Sequence, residues 1–515
     1  MHLKPENLHS ETLDKTTRII LFAGFVIQLI TALNGVGYFH PDQHFSIIEF
    51  ATYKLGITSE EHLVWEFSNR IRPTIQVYLF LGFYKFMQFL HLDYAYTSDL
   101  ILRIIVSCAG FILYNIIILK QFKNDSKSTL YIILGIANFS WFLPYIHSLF
   151  SSETLGGLVY FFAVLLYLHF KSKSLTLIRA MVIGFILSLA FYFRFQIGFA
   201  ILGFSIWVLF YEKTTLSTLL GIGAGFLLGV IFNTVIDSHF YGEFSFTPYS
   251  YFYANIIEGR ASATGTKSFI YYILLLSVMF TAPLLSLFLL FYIFRGFIKK
   301  FGDVFSLSVI VFLFLHFIIP HKEDRFLFPV AGILPVILGY GIRDYTNKLP
   351  AKIWKNSYSV LFNFIAWASV ILNVFLLYIM LTIPISQSVY FTKKINEYFD
   401  YGENVKIVFY DRTPFETPGI RNVHTYYKHF KNKNINIIVT ADPSEFKIMM
   451  DHPDTNTWFA AAYGQEIDEE KIYDMACTPV MVSSPAALEF NQWLNKHNWG
   501  PVLDVWILFK CGDSD

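Results

Sequence analysis

Residues 18–45 read RIILFAGFVIQLITALNGVGYFHPDQHF, an apolar run that ends in a cluster of polar residues. The run from Arg18 to about Val36 approaches the roughly 20 apolar residues that a helix needs to cross a bilayer. No small-residue cleavage site follows it, so the run predicts an uncleaved first membrane span rather than a signal peptide. The amino terminus is then expected on the cytoplasmic side and the polar cluster on the opposite side.

The composition of the whole chain is that of a membrane protein. Of the 515 residues, 55% are hydrophobic, 19% are aromatic and 15% are charged, whereas about 25% of the residues of soluble domains are charged. This composition excludes an ordinary soluble enzyme and a disordered chain. The 39 Lys and Arg residues and the 38 Asp and Glu residues leave a net charge of +1, so the overall charge does not favour binding to nucleic acid.

Ten further apolar segments follow the first, which predicts about eleven transmembrane helices. The loops rich in Lys and Arg all fall on the cytoplasmic side if segment 73–90 does not span, so we interpret that segment as a surface or re-entrant helix. The run GIGAGFLLG at 221–229 lies within a predicted span, so Gly225 and Gly229 favour close helix packing over a phosphate loop. The ten segments are 100–119, 130–148, 154–170, 177–195, 197–211, 216–236, 270–294, 303–319, 326–342 and 357–383.

The composition changes after the last predicted span, at about residue 395. The runs VKIVFY (405–410), INIIV (435–439) and VLDVWILFK (502–510) are typical of strands. The segments SEFKIMMD and SPAALEFNQWLNK between them are typical of helices. This pattern predicts a small α/β domain after the membrane part.

We divide the chain into a transmembrane domain over 1–390 and an α/β domain over 391–515 on the non-cytoplasmic side. The first loop, segment 237–269 and the turn at 321–325 are expected on the same side, because the basic loops alternate against them. Disulfides and Cys-based zinc sites are not expected to organise this fold. The chain has only three cysteines, which allow at most one disulfide: Cys108, Cys477 and Cys511.

The polar cluster after the first span contains His40, Pro41, Asp42, Gln43 and His44. Pro41 fixes the backbone where a helix could begin, so Asp42 would lie in the first helical turn, where free N–H groups favour an anion. Asp42 is then either a cap of an interfacial helix or a carboxylate available for chemistry. His40 and His44 could flank it as metal ligands, but no partner at helical spacing completes the set, so we expect no metal site.

A second polar group lies at the end of the same loop, in LVWEFSNRIRPT. Trp65, Glu66, Arg70 and Arg72 come just before the apolar segment at 73. An aromatic ring beside a carboxylate and guanidinium groups suits a sugar and a phosphate, because the ring stacks on the sugar and arginine can bind phosphate through two hydrogen bonds. A simple pairing of Arg and Glu at the interface explains the same residues, and composition does not choose between the two interpretations.

The turn HKEDR at 321–325 places five ionisable residues between two predicted spans. Each unpaired charge drawn into a membrane costs roughly 2.5–3.5 kcal/mol on insertion scales, so the turn is either a snorkelling cluster or a binding site. In a binding site, Lys322 and Arg325 would donate to the phosphate of a membrane-anchored ligand. Two more polar residues border the same compartment at the outer ends of predicted spans, Glu153 and Arg194.

The motifs HPDQHF, VWE, IRP and HKEDRF, in that order, resemble those of the dolichyl-phosphate-mannose-dependent mannosyltransferases that build N-glycan precursors and GPI anchors. That family carries an HPDE motif after the first span and an HKEeRF-type motif much later. Segment 236–272 is similar to an outer loop of the same family, so the resemblance extends over about residues 15–345. It implies the GT-C glycosyltransferase fold and inverting transfer of mannose from a polyprenyl-phosphate donor to a glycan or glycolipid acceptor.

The resemblance also implies roles for individual residues, with Asp42 as the catalytic base. Gln43 replaces the usual Glu of the motif and cannot accept a proton, so Asp42 is the only candidate base there. No metal or other cofactor is implied. The donor phosphate would be bound by His321, Lys322, Arg325 and Arg72. The sugar or the acceptor would be bound by His40, Gln43, Trp65, Glu66, Glu153 and Arg194.

Three alternatives remain open at this point: a GT-C enzyme for a different polyprenyl-phosphate-linked sugar, a polytopic transporter, and a scaffold without activity. A transporter would be expected to show repeats and charges distributed through its spans, and the sequence shows neither. DRTPFETPG at 411–419 stands where the family has a Cys-containing motif, so the acceptor is not identified. The active site is expected on the periplasmic or lumenal face of a bacterial inner membrane or endoplasmic reticulum membrane, among membrane lipids.

Overall fold

A computed structural model describes residues 13–279, 283–346, 357–399, 404–415, 423–428, 433–451, 456–462, 477–496 and 504–511. Helices occupy most of the described chain up to residue 399, and a five-stranded sheet lies in the carboxy-terminal part. Each predicted span is mostly helical where it is described, with breaks at 140–142 and 332–333, and so is most of segment 73–90. The prediction of a helical membrane part followed by a small α/β part is therefore confirmed.

Several helices of the membrane part begin where the sequence offers capping groups. Asp14 and Ser151, for example, accept hydrogen bonds from first-turn N–H groups of the helices that follow them, which satisfies donors that have no partner within the helix. In chain order the helices are α1 (Lys15–Asn34), α2 (Pro41–Gln43), α3 (Glu49–Lys54), α4 (Trp65–Ser68), α5 (Ile75–Phe89), α6 (Ala95–Gln121), α7 (Lys127–Phe139), α8 (Leu143–Ser148), α9 (Ser152–Lys173), α10 (Leu177–Phe193), α11 (Ile197–Ile206), α12 (Leu216–Tyr241), α13 (Thr247–Phe252), α14 (Arg260–Ala263), α15 (Ile270–Met279), α16 (Pro283–Lys299), α17 (Val304–Ile318), α18 (Phe328–Ala331), α19 (Leu334–Thr346) and α20 (Ser357–Thr382). Short π-helical turns lie at His44–Ile48, Trp207–Glu212 and Tyr253–Ile257, and 3-10 turns at Glu60–His62 and Asp324–Leu327.

Five helices within the described ranges are long and apolar enough to cross a membrane: α1, α6, α9, α12 and the Phe364–Thr382 part of α20. Two bent pairs, α16 with α17 and the turn at 324–331 with α19, raise that number to seven if each pair counts as one span. The predicted count of about eleven spans is not confirmed. Helix α5 has 15 residues, fewer than the roughly 20 that a span requires, and its position at the membrane surface stays a prediction.

Helices α10 and α12 pack closely because glycines of α12 face the contact. A Cβ atom at Gly225 would clash with the carbonyl oxygen of Met181, and one at Gly229 would clash with the Ser188 hydroxyl. Small residues at such positions let the backbones of two membrane helices approach each other. The prediction that the GIGAGFLLG run serves helix packing is confirmed.

The carboxy-terminal sheet has the strand order β2-β1-β3-β5-β4, in which β1 pairs parallel to β2 and β3, while β5 pairs antiparallel to β3 and β4. Helix α21 (Gln387–Tyr398) covers one face of the sheet, and α23 (Pro443–Asp451) covers the other. Cys477 of β4 and Cys511 of β5 form a disulfide. The strands are β1 (Val405–Tyr410), β2 (Ile435–Thr440), β3 (Thr457–Ala462), β4 (Cys477–Val482) and β5 (Trp506–Cys511), and the remaining helices are α22 (Thr425–Lys428) and α24 (Pro485–Lys496).

Three of these strands and the helices α23 and α24 were predicted, whereas β3 and β4 were not. The sequence of β3, TWFAAA, ends in alanines, which are depleted in strands, and β4 contains Pro479, which argues against a strand in sequence analysis. Part of the segment 411–419, which was compared with a family motif, lies outside the described residues.

The junction between the two parts is built on helix α21, which crosses the predicted domain boundary at 390/391. The backbone N–H of Ser386 donates to the carbonyl of Val36 at 3.0 Å, just after the first span. Gly37 has a φ of +90°, and a Cβ there would lie 2.6 Å from that of Ser386. The carboxy-terminal part is therefore attached directly to the loop that carries the HPDQHF motif.

Candidate active site

A cavity of about 650 Å³ opens on the side of the molecule that carries the first loop, segment 247–264 and the turn at 319–326. One wall is apolar, with aromatic side chains at the ends of α10 and α11 and on α13. The rest of the lining, the charged wall, carries ionisable and other polar side chains. The apolar wall includes Phe191, Phe195, Phe199, Phe252, Ile256, Ile319 and Phe326, and the polar lining includes His40, Asp42, Trp65, Glu66, Arg72, Arg194, Asn255, Arg260, His321, Glu323 and Arg325.

Asp42 reaches the cavity from a short capped helix, α2. The side chain of His40 accepts the Asp42 backbone N–H at 3.3 Å, while Gln43 Oε1 accepts the N–H of Phe39 at 2.9 Å. Pro41 occupies the first helical position, where a missing N–H costs nothing. This reciprocal capping fixes the turn, so Asp42 does lie in a first helical turn as predicted, and its carboxylate remains 21% exposed towards the cavity.

Two arginines bind the Asp42 carboxylate. The Nη2 atoms of Arg72 and Arg325 lie 2.5 Å and 2.8 Å from Asp42 Oδ2. Burial by itself raises the pKa of Asp42, but the two guanidinium groups outweigh it and hold that pKa well below its usual range. Asp42 is therefore ionised at neutral pH, and both arginines bind its Oδ2 atom.

The end of α12 positions Arg72. Asp237 Oδ1 accepts both the backbone N–H and the hydroxyl of Thr74, each at 2.7 Å, and its Oδ2 accepts the hydroxyl of Thr247 at 2.6 Å. The Tyr241 hydroxyl donates to the carbonyl oxygen of Arg72 at 2.8 Å. Asp237 thus ties the IRP motif and segment 247–264 to one helix end.

Glu66 and Glu323 are further carboxylates of the charged wall. Glu66 lies 3.1 Å from the same Arg72 Nη2 that meets Asp42, and burial together with the nearby charge of Asp42 raises its pKa although Arg72 lowers it. Glu323 binds the Nε of Arg325 and lies 2.8 Å from the Nε2 of His321. That hydrogen bond raises the pKa of His321.

Glu153 lies behind the charged wall, where it contacts two arginines that line the cavity, Arg194 and Arg325. Glu153 is 0% exposed, and its Oε1 lies 3.3 Å from Arg325 and 3.4 Å from Arg194. Glu153 does not line the cavity, because it sits in the first turn of α9 beneath the two arginines. From the sequence, Glu153 is predicted to bind the sugar or the acceptor. In the structure it contacts Arg325 and Arg194.

Two other residues predicted for the site also point elsewhere. Lys322 donates its Nζ to the carbonyl oxygen of Ile319 and lies 5.9 Å from the Tyr272 ring, because successive side chains of the extended turn alternate sides. Gln43 is 4% exposed and caps α2. Neither residue is among the lining residues of the cavity.

The mouth of the cavity carries an exposed aromatic ring. Trp65 is 44% exposed, and the guanidinium of Arg260 stacks on it at 4.8 Å while donating to Glu258 at 2.8 Å. Sequence analysis singled out Trp65 but neither Arg260 nor Glu323. The resemblance of segment 236–272 to a family loop was the available signal for Arg260, and the charge density of the HKEDR turn was the signal for Glu323.

The charged cluster, defined as Asp42, Glu66, Arg72, Glu153, Arg194, Glu323 and Arg325, contains four carboxylates and three guanidinium groups. Every arginine in it already has a carboxylate partner. Among the described residues, no group of three His, Cys, Asp or Glu side chains is arranged to hold a metal ion. The cluster can offer arginines to an anion and a carboxylate to a proton, provided that the partners exchange.

Comparisons with known proteins agree with the motifs. A sequence profile of the Alg9-like mannosyltransferase family matches residues 19–424. GPI alpha-1,2-mannosyltransferase 3 of Bos taurus is 24% identical over 321 residues, which cover 61% of this chain and 57% of the relative. GPI mannosyltransferase 3 of Schizosaccharomyces pombe is 24% identical over 348 residues, which cover 60% of this chain and 65% of the relative. The chain therefore spans less than two thirds of the length of these curated relatives.

The fold has a known counterpart. The crystal structure of ArnT from Cupriavidus metallidurans bound to undecaprenyl phosphate superposes with a TM-score of 0.50 at 10% identity and covers 96% of this chain and 98% of that chain. The predicted GT-C fold is confirmed by this likeness. Because the family profile covers the first span, the charged cluster and the chain up to residue 424, this chain belongs to the Alg9-like mannosyltransferase family.

Proposed function

We propose that this protein transfers mannose from a polyprenyl-phosphate-linked donor to a hydroxyl of a glycan or glycolipid acceptor, on the non-cytoplasmic face of its membrane. The observation that carries the proposal is the Asp42 carboxylate, which faces a half-apolar cavity and is held by Arg72 and Arg325. An ionised carboxylate and two guanidinium groups are what a displacement at a sugar phosphate requires. Membership of the family supports mannose as the sugar.

In the proposed reaction, Asp42 takes the proton from the acceptor hydroxyl. The oxygen of that hydroxyl attacks the anomeric carbon of the donor sugar at the same time. The bond from that carbon to the phosphate oxygen breaks, and its electron pair stays on the phosphate. One displacement inverts the anomeric centre. The phosphate gains negative charge in this step, so cations already in place stabilise the transition state more than the ground state.

Arg72 and Arg325 bind the donor phosphate in this scheme, together with His321, which faces the same cavity. Because both arginines bind Asp42, a phosphate must compete with Asp42 for them. As they turn to the phosphate, the pKa of Asp42 rises back towards its ordinary value. A carboxylate with a higher pKa is the stronger base, so donor binding activates Asp42.

The rest of the cavity offers places for the lipid and the sugars. Phe191, Phe195 and Phe199 line the apolar wall, which suits a polyprenyl chain. Trp65 offers a ring face for an acceptor sugar once Arg260 moves aside. Glu66 and His40 lie beside Asp42 and are placed to hydrogen-bond the hydroxyls of the sugar that is transferred. These contacts make the acceptor a molecule that reaches the cavity from the aqueous side.

Two observations support the non-cytoplasmic side. The basic loops alternate against the loops that line the cavity. The disulfide between Cys477 and Cys511 belongs to an oxidising compartment, as found outside the cytosol. The carboxy-terminal part and the cavity would then share the periplasm or the lumen.

A transfer assay tests the proposal. The purified protein in liposomes is given radiolabelled polyprenyl-phosphate mannose and a glycolipid extract from a strain that lacks it, with Asp42→Asn as the control. We expect label in a new glycolipid or glycan, which mass spectrometry identifies, and almost none with the variant. A parallel reaction uses polyprenyl-phosphate glucose, and transfer from that donor alone would contradict mannose as the sugar. A folded protein that uses neither donor would contradict the proposal as a whole.

A further inference from the structure

The motif that carries Asp42 has a second, closed face. His44 follows Asp42 on the same segment but is 0% exposed, and its Nε2 lies 2.7 Å from Glu49 Oε1. The His44 ring lies between the rings of Tyr38 and Tyr427, with centroid distances of 5.0 Å and 5.1 Å and nearly parallel planes. One of these rings precedes the motif, and the other belongs to the carboxy-terminal part.

Glu49 is also fully buried and its bonds lead to the carboxy-terminal part. Its carboxylate accepts the hydroxyls of Thr58 at 2.5 Å and Thr52 at 3.2 Å. It also accepts the backbone N–H of Tyr426 at 3.0 Å. Because this donor is a backbone N–H, the main chain at Tyr426 must lie beside Glu49.

Segment 424–427 is fixed in turn to the start of α6. The Tyr426 hydroxyl donates to the carbonyl oxygen of Ala95 at 3.1 Å, and the Tyr96 hydroxyl donates to that of Tyr427 at 3.3 Å. His424 Nδ1 lies 3.2 Å from the Tyr38 hydroxyl. The segment therefore lies between the motif and a long membrane helix and is bonded to both.

We propose that segment 424–427 is a positioning element for the reaction: through Tyr427, His44 and Glu49 it sets the orientation of the helical turn that presents Asp42 to the cavity. A purely apolar contact would attach the two parts without fixing their register, whereas a buried network of directional hydrogen bonds allows one arrangement. This inference rests on the proposed role of Asp42. A misplacement of about 1 Å in a reacting group can cost roughly 100-fold in rate.

Variants of Tyr427 test the inference in the full-length protein in liposomes. Tyr427→Ala removes the ring that stacks on His44, Tyr427→Leu replaces it with an aliphatic side chain of similar reach, and Tyr427→Phe keeps the ring as the matched control. We expect Ala and Leu to lower kcat about 10- to 100-fold while the KM for the polyprenyl-phosphate donor changes less than about twofold, because the arginines still bind phosphate. Tyr427→Phe should stay within about threefold of the wild type, since a stacked ring survives.

A double-mutant cycle separates positioning from general damage. If Tyr427 acts through Asp42, Tyr427→Ala should cost little further rate in the Asp42→Asn background. An equal loss in both backgrounds, or an unchanged kcat in the single Ala and Leu variants, would overturn the inference. Failure of both to fold while Tyr427→Phe folds would also overturn it, because the ring would then support the whole fold rather than the motif. An inactive wild type would instead count against the proposed function.

Discussion

Asp42 and Glu49 lie on one short segment, but the two carboxylates differ in their exposure and in their partners. Asp42 is 21% exposed, faces a cavity and is held by two arginines that each have another acidic partner. Glu49 is 0% exposed and bonded to a histidine, two threonines and a backbone N–H. A carboxylate that exchanges protons needs partners that can leave, whereas a structural carboxylate needs partners that cannot.

The largest expected effect is that of Asp42→Asn on transfer. Without a base, the rate should fall roughly 100- to 10,000-fold, while the protein still folds and binds donor. The measurement is transfer by the purified variant, with binding of polyprenyl phosphate as the control. Retention of more than about a tenth of wild-type activity, well short of the loss expected for a positioned base, would place the base elsewhere, with Glu66 as the next carboxylate to test.

Glu49→Gln should have the opposite profile, with stability as the main loss. Gln has one acceptor oxygen where Glu49 has two, so buried donors that bond the carboxylate lose a partner. A buried donor left without a partner costs about 1–3 kcal/mol, so the thermal midpoint of the purified variant in detergent should drop clearly. Asp42→Asn should lower that midpoint less, because Asp42 is 21% exposed and each of its two arginines keeps another carboxylate partner. Equal midpoints for the two variants would show that the contrast drawn between them is wrong.

Arg325 and Lys322 sharpen the comparison within the HKEDR turn. Arg325→Lys should lower kcat/KM for the donor about tenfold, since charge remains but the planar guanidinium that meets three carboxylates is lost. Lys322→Met is the matched control and should stay within about twofold, because Lys322 points at the carbonyl of Ile319 and away from the cavity. A comparable loss in Lys322→Met would restore Lys322 to the phosphate site.

A smaller effect is expected from pH. The hydrogen bond to Glu323 raises the pKa of His321, whose ordinary value is about 6.5. The imidazolium is present below the raised pKa and is lost as pH rises through it, so the donor KM should increase a few-fold from about pH 6.5 to about pH 8.5. His321→Gln should flatten this dependence. A KM profile that is the same in both proteins would remove His321 from the phosphate site.

The smallest effect is expected at Gln43, where the sequence departs from the family motif. Its Oε1 accepts the N–H of Phe39, and a glutamate carboxylate makes the same bond in a capping box. Gln43→Glu should therefore keep transfer within about twofold, and Gln43→Ala should cost a few-fold through a lost cap worth about 1 kcal/mol. A large gain in Gln43→Glu would show that the wild type lacks an acid that the reaction uses.

Sequence analysis predicted the residues whose role is visible locally. Asp42 follows a span and a proline, and Arg325 sits in a turn dense with charge, so both could be singled out without a structure. Lys322 is a neighbour of Arg325 in sequence, but the direction of each side chain in an extended turn depends on backbone angles that charge density does not report. Glu153 was predicted to border the same compartment as the other site residues, which stays a prediction, and its depth behind the arginines depends on how α9 packs.

The closed face of the motif could not be predicted at all. Glu49 accepts from Tyr426, 377 residues further along the chain, and nothing in the composition around either residue indicates the other. Strands β3 and β4 were missed for a different reason, because tertiary pairing with β1 and β5 overrides weak local propensity. Long-range polar bonds and strands of weak local propensity are the parts of this fold that require the three-dimensional structure.

The apolar wall of the cavity has a consequence for kinetics. Phe252 and Ile256 line the cavity and are each more than half exposed, so part of the apolar wall is accessible at the surface of the molecule. Under the proposed reaction, the donor is a solute of the leaflet, and the enzyme responds to its mole fraction among lipids rather than to its molarity in water. Diluting a fixed amount of donor with inert phospholipid would then slow the reaction as surface dilution, although the bulk concentration stays the same.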